Sequence, residues 1–386
     1  MASYLNSRPR FEILDGLRGV AALVVVAFHV FEAYSPGPAY QIINHGYLAV
    51  DFFFALSGFV IGYAYDDRWQ RGMTASMFLR RRFVRLHPMV VMGATFGLLT
   101  FYASAGDVSP SVAGTPVLTL LGVFLMTCLL LPAPSSLDVR GWGESYSLDG
   151  PMWSLMYEYI ANVLYAFVVR RFPRWLLGAF VAVSAVFTVD VALNIDLFNL
   201  LEARNYHIHT IIGGWSLSAD QLYVGSVRLL YPFFCGLLVY RLGGRIKLRG
   251  AFLWCSLAVV ALLSLPRIGE GATAWHNGLY EAVAILLLFP VIVMAGAGSE
   301  VVGRRQLAVC RWLGAISYPL YLIHYPLIYL YFGWQRTHAD LPAQVHVFAG
   351  VSVFILSVAL AWGVLRLYDE PVRRYLAARW FGKASR

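Results

Sequence analysis

The sequence predicts an all-α bundle of membrane-spanning helices, about ten in number, with one further re-entrant or outer-leaflet helix at 115–131 and both termini in the cytoplasm. Three observations predict it. Of 386 residues, 59% are hydrophobic and only 13% are charged, which places the chain in the membrane class. The apolar residues form continuous runs near the length a spanning helix needs, without the alternation of a barrel strand. Positive charge is concentrated in alternate connections, the signature of cytoplasmic loops.

The runs are 13–33, 47–65, 88–104, 115–131, 151–169, 174–193, 221–240, 250–266, 277–297, 311–332 and 344–366. Basic clusters lie at Arg8/Arg10 with Arg18, Arg68–Arg85, Arg170–Arg174, Arg241–Arg249, Arg304–Arg311 and Arg366–Arg386. Elsewhere only Arg140, Arg204, Arg228, Arg267 and Arg336 occur. The basic connections, and with them both termini, are therefore expected in the cytoplasm. Eleven full spans would put the termini on opposite sides. The conflict falls on 115–131: the segment before it must emerge outside and the segment after it must start outside. This run is short and bounded by Pro116 and Pro132, so a re-entrant helix is expected. The chain then reads as one membrane domain, 1–372, with a short basic, solvated cytoplasmic tail at 373–386.

The net charge of +9 is accounted for by these anchors and gives no reason to expect a nucleic-acid partner. Four scattered cysteines, Cys128, Cys235, Cys255 and Cys310, form no Cys-x-x-Cys pair, so neither a metal site nor a disulfide framework is expected. The first apolar run lacks a small-residue cleavage site and reads as a retained span. External connections rich in Tyr40, His45, Trp142, Tyr146, Tyr206, His207, His209 and Trp215 suit an interfacial aromatic belt or sugar stacking.

Four stretches carry candidate chemistry. In the first span, Arg18 and His29 are eleven residues apart. On a helix that is within about 20° of three turns and about 16 Å along the axis. Ionisable residues at membrane depth mark functional sites. The second span opens with Asp51, at the depth of His29 in an antiparallel neighbour. It could orient the imidazole as a general base requires, or cap its own helix. Arg80, Arg81, Arg82 and Arg85 form an anchor, or a site for an anionic cytosolic donor. Ser154, Glu158, Asn162 and Tyr165 share one helical face, as do Ser317, Tyr321 and His324 between the bending Pro319 and Pro326.

Taken together, these stretches resemble acyltransferase family 3, the integral-membrane O-acyltransferases. Asp15-Gly16-Leu17-Arg18 leading to His29 matches the family's first span. Asp51 to Gly58 matches its acidic-Phe-Phe…Ser-Gly stretch, and Arg81, Arg82, Arg85 and Pro88 its Arg-Arg-x-x-Arg before proline. Trp153 to Glu158 matches Trp-Ser-Leu-x-x-Glu, Ser317 to His324 matches Ser-Tyr-x-x-Tyr-x-x-His, and Tyr368, Glu370, Pro371 and Arg373 close the series. Asn162 stands where many members carry tyrosine.

The resemblance implies an O-acetyltransferase of the bacterial inner membrane. It would move an acyl group, most commonly acetyl, from cytosolic acetyl-CoA to a sugar hydroxyl of an envelope, exopolysaccharide or lipid-linked glycan. No permanent cofactor and no metal are implied; acyl-CoA is a co-substrate, and the partners are glycan acceptor and lipid. His29 would be the base, oriented by Asp51 or Glu158, with Arg18 on the pantetheine, phosphate or thioester carbonyl. Arg81, Arg82 and Arg85 would hold the donor phosphates. Trp153, Ser154, Asn162, Tyr321 and His324 would support the acceptor or the site. The rival class is a proton-coupled transporter or flippase of a glycan or small acid, with His29 and Glu158 as relay residues. That class calls for an internal repeat or matching broken helices, and the sequence shows neither.

Overall fold

A computed structural model describes residues 10–35, 41–104, 112, 114–202, 204, 208–269 and 271–382. Arg8, Tyr40, Tyr206, His207, Lys383 and Arg386 of the sets named above lie outside these residues. Each of the eleven expected apolar runs is helical. The helices are α1 (Glu12–Glu32), α2 (Ala49–Gln70), α3 (Ala75–Ala103), α4 (Val117–Cys128), α5 (Met152–Phe167), α6 (Arg174–Leu193), α7 (Ala219–Leu242) and α8 (Ala251–Ser264). Next comes α9 (Trp275–Val283), which continues through a π-helical turn at Ala284–Leu288 into α10 (Phe289–Gly298). The long α11 (Arg304–Thr337) follows, then α12 (Ala343–Val364), which passes through a second π turn at Leu365–Asp369 into α13 (Glu370–Phe381). Among the described residues, seven helical stretches are long and apolar enough to cross a membrane: Glu12–Glu32, Gly46–Gln70, Ala75–Ala103, Arg174–Leu193, Ala219–Leu242, Gly271–Gly298 and Ala343–Phe381. The chain is an all-α polytopic bundle. Helices dominate because lipid offers no partner for backbone N–H and C=O groups.

Two elements extend beyond their apolar runs. α3 starts at Ala75 rather than at 88, because its arginine-rich stretch has good helix propensity and Thr74 caps it, accepting from Met77 N at 3.2 Å. α13 carries helix into the segment expected as a solvated tail, and the expected boundary at 372 falls inside it. Its end packs back on α3: the Trp380 ring lies 5.5 Å from that of Phe83, and Arg81 lies over Phe381 at 4.6 Å.

Two glycine-mediated crossings set the functional geometry. A Cβ on Gly58 of α2 would sit 1.7 Å from Phe233 O of α7, and one on Gly236 would sit 2.0 Å from Ala55 O. These backbones touch, the usual role of small residues between membrane helices. Likewise, a Cβ on Gly19 of α1 would meet Leu313 of α11 at 2.5 Å. α1 therefore runs along α11, and α2 along α7.

α4 has 12 residues, roughly 18 Å of helix, well short of a hydrocarbon core of about 30 Å. Leu120 and Val123 of α4 pack with Phe101 near the end of α3. The return segment follows α3 back inward. Arg140 lies over Phe101 at 5.1 Å, Leu148 packs where Gly97 leaves room, and Asp149 reaches Gly93. Helix α5 thus begins below the end of α3, which explains its 16 residues.

Candidate functional site

A cavity of about 470 Å³ opens at the arginine-rich end of the bundle. Arg10, Arg18, Arg68, Arg82, Arg85, Arg311 and Arg373 line it, against Asp15, Glu158, Asp369 and Glu370. The excess of guanidinium groups makes its mouth a trap for anions. Its wall continues along α2, α5 and α11 through Ser57, Tyr318 and Phe53 to Ser154 and Tyr321. There the Ser154 and Tyr321 hydroxyls are 2.7 Å apart, and Ser154 Oγ also donates to Pro151 O at 3.0 Å. The Phe53 ring meets the Tyr321 ring edge-on, with centroids 5.7 Å apart.

The arginines expected to act together divide their work. Arg82 Nη2 donates to Glu158 Oε1 at 2.6 Å, which binds α3 to α5. Ser57 Oγ donates to the same oxygen at 3.4 Å. Arg85 lines both the cavity and an adjoining cleft of about 450 Å³. Arg81 lies in that cleft alone, against α13. Arg18 sits at the cavity wall with Nη1 3.5 Å from Asp15 Oδ1.

His29 and His324 lie beyond the inner end. His324 follows Tyr321 by one turn of α11, and its ring centroid is 5.5 Å from that of His29. His29 Nδ1 lies 2.7 Å from Glu32 Oε2. A carboxylate only accepts, so this pairing puts a proton on Nδ1 and leaves the Nε2 lone pair free. His324 Nδ1 donates to Leu320 O at 2.9 Å. Its Nε2 is buried with no partner among the described residues. The Tyr325 ring packs edge-on to His29 at 4.8 Å, and its hydroxyl donates to Glu144 Oε1 at 3.2 Å. Tyr329 donates to the other Glu144 oxygen, while Arg140 lies over the Tyr329 ring at 3.8 Å. Burial pushes the Glu144 carboxyl up to about 7, against the lowering effect of the two tyrosines and Arg140. Asp149 is fully buried, with neither oxygen partnered among the described residues, and burial holds it well above the carboxylate range.

Asp51 and Glu158 do not orient His29. Asp51 is fully buried and accepts from Arg228 Nη2 at 2.8 Å. Arg228 also donates to Tyr47 O at 2.6 Å and Gly213 O at 3.0 Å. The reason is rotational. Asp51 lies two turns before Gly58, on the face that the glycine crossing presses against α7. The depth expected from the sequence says nothing of which side of the helix Asp51 faces. Arg228, grouped above with arginines of the connections, is inside α7. Glu158 is committed to Arg82. The carboxylate that sequence reasoning missed is Glu32. Its signal was the i, i+3 spacing after His29.

Trp153 and Asn162 do not line the cavity. The Trp153 ring carries Arg228 at 5.1 Å and backs the loop at Gly214. Asn162 Nδ2 donates to Glu158 O at 2.7 Å. Ser154 and Tyr321 do line it.

A family model described as an acyltransferase domain, that of acyltransferase family 3, matches residues 11–366. Protein 2 in the picA locus of Rhizobium radiobacter is 39% identical over 167 residues, 41% of this chain and 81% of that protein. Peptidoglycan O-acetyltransferase OatA of Listeria monocytogenes is 21% identical over 95% of this chain, which spans 56% of OatA. Acyltransferase MdmB of Streptomyces mycarofaciens is 26% identical over 96% of this chain and 93% of that protein. No solved structure matches.

Proposed function

Because this chain belongs to acyltransferase family 3, we propose that it transfers an acyl group, acetyl in the first instance, from acyl-CoA to a hydroxyl of an envelope glycan or glycolipid. The observation that carries this reading is the cavity. Seven arginines line it, and so do Ser154 and Tyr321, the latter one turn before His324, whose ring meets that of His29. A donor with a phosphate-bearing head and a long neutral arm suits such a shape. The basic end faces the cytosol in this reading, with ten spans and both termini inside, in a bacterial inner membrane. The names of relatives in Listeria and Staphylococcus, peptidoglycan O-acetyltransferase and putative O-acetyltransferase, support acetyl and an envelope acceptor.

His29 Nε2 takes the proton of the acceptor hydroxyl as its oxygen attacks the acyl carbonyl. The tetrahedral intermediate expels CoA as thiolate, and the imidazolium returns the proton to sulfur. Glu32 holds the ring in the tautomer that leaves Nε2 basic. Arg18 and Arg85 hold the donor's charged portion at the mouth.

Purified protein given radiolabelled acetyl-CoA should release CoA only when acceptor glycan is supplied, and His29→Ala should stop it. Wild-type turnover by His29→Ala would overturn the assignment of the base. Failure of any acyl-CoA to bind would overturn the acyltransferase reading in favour of transport.

A further inference from the structure

We propose that Asp149 stays protonated and donates a hydrogen bond to Leu322 O, the carbonyl that Pro326 leaves without its helical donor. The bond positions the turn of α11 that carries His324 and Tyr325. Asp149 is thereby a positioning residue, outside every motif of the sequence. Its effect on catalysis rests on the acyl-transfer reading above; the bond itself does not.

In an unbroken helix Leu322 O would accept from the N–H of residue 326. That residue is Pro326, inside α11, which has no N–H and whose ring crowds the same carbonyl. Leu322 is fully buried, where a backbone group without a partner is costly. Asp149 has the reciprocal problem. It is fully buried, and both its oxygens are sealed from solvent with no partner among the described residues. The two groups meet over Gly93 of α3. A Cβ there would sit 2.7 Å from Asp149 Oδ2 and 3.2 Å from Leu322 O, so the glycine makes room for both. An ionised Asp149 would set its charge against the negative end of the carbonyl, whereas a protonated one supplies the hydrogen that Pro326 lacks. The surroundings agree. Burial and the Glu144 carboxyl both hold Asp149 above the carboxylate range, and no cation draws it down. Tyr321 and Tyr329, the titratable side chains of α11 on which it acts, bring no positive charge either.

A helix bends where proline removes a hydrogen bond, and here that is the turn from Leu322 to Pro326. The turn bears His324, whose ring is 5.5 Å from that of His29, and Tyr325, edge-on to His29 at 4.8 Å. A bond from Asp149, just before α5, to Leu322 O fixes the bend and with it the wall against which His29 works.

The test is infrared spectroscopy of the full chain in maltoside detergent, which has no ester carbonyl, at pH 8, where Glu144 is mostly ionised. The spectrum of the wild type minus that of Asp149→Asn should show the C=O stretch of a protonated carboxylic acid. No such band would overturn the proposal. Turnover supplies the second arm. Asp149→Asn keeps an N–H donor and should retain most of the acetyl-transfer rate. Asp149→Leu has no donor and should lower kcat by about tenfold or more, with KM for acetyl-CoA unchanged. Pro326→Ala returns an N–H to residue 326, so adding it to Asp149→Leu should regain most of the lost rate. Wild-type kcat in Asp149→Leu, equal losses from Asn and Leu, or no rescue by Pro326→Ala would each overturn it. If Asp149→Leu does not accumulate as folded protein, the monodisperse yield of the double variant is read in place of its rate, with the same expected rescue. Failure of any acyl-CoA to bind would end the acyltransferase reading, and the infrared band would still decide the bond.

Discussion

Glu32 Oε2 and His29 Nδ1 are 2.7 Å apart, one turn of the same helix from each other. The pair is therefore built by α1 alone and needs no neighbour to form it. Nδ1 is the donor side, and Nε2 is free to face a hydroxyl. Glu32→Gln keeps the shape and can still accept a hydrogen bond, but it removes the charge that, in the proposed mechanism, stabilises the imidazolium form of His29. The expected outcome is a fall in kcat of about tenfold or more, part of the roughly 10²–10⁴-fold that a positioned general base supplies, with KM for acetyl-CoA within about twofold, since uniform binding is untouched. Steady-state kinetics on the variant check it. A wild-type kcat would remove Glu32 from the mechanism.

The Asp51–Arg228 pair predicts a different phenotype. Both side chains are buried, at 0% and 2% exposure, so removing one leaves the other's charge uncompensated. Asp51→Asn should destabilise the protein by roughly 3–5 kcal/mol, read as a lower unfolding midpoint and a smaller monodisperse fraction in detergent. Asp51→Leu combined with Arg228→Met should recover part of that loss. If Asp51 instead worked through His29, the double variant would regain stability and stay inactive. Recovery of activity in the double variant is the outcome expected here.

These two residues show what the sequence could and could not disclose. Continuous apolar runs specify helices without reference to any neighbour, so all eleven runs correspond to helices. Rotation about the helix axis was not legible. Asp51 is turned toward α7 by the Gly58–Phe233 contact, and nothing local to Asp51 announces that contact. Glu158 was legible as an inward-facing acid, yet its partner Arg82 belongs to a cluster whose charges look interchangeable in sequence. The structure separates them: Arg82 binds a helix, Arg85 faces the cavity and Arg81 faces the cleft. Glu32 could have been found from spacing alone.

Glu144 gives a pH prediction. Its carboxyl is raised in the folded protein from 4.5 to about 7, burial being the main cause. A group whose folded value is raised favours folding while it is protonated in the fold. Its contribution is therefore fully present below about pH 4.5 and is lost as pH rises to about 7. The wild type should have a higher unfolding midpoint at pH 5 than at pH 8 from this source. Glu144→Gln, which is neutral throughout, should flatten that part of the slope. Differential scanning at a series of pH values reads the difference between the two proteins. An identical slope in the variant would mean that Glu144 does not titrate in this window.

Tyr321 lines the cavity, and the role of its ring can be separated from that of its hydroxyl. The hydroxyl bonds Ser154 at 2.7 Å, but Ser154 Oγ keeps a second bond to Pro151 O. Tyr321→Phe should therefore cost activity only a few-fold, in line with one neutral hydrogen bond of about 1 kcal/mol. The ring, packed edge-on against Phe53, stands between the cavity and His324, one turn further along α11, with the His29 ring 5.5 Å beyond. Tyr321→Ala removes that barrier and admits water from the arginine-lined mouth to the acyl carbonyl. The expected result is acceptor-independent release of CoA and acetate, raised several-fold over wild type in Tyr321→Ala and unchanged in Tyr321→Phe. Equal leakage from both variants would show that the hydroxyl, and not the ring, holds the water out. Tight coupling in Tyr321→Ala would place the barrier at another residue.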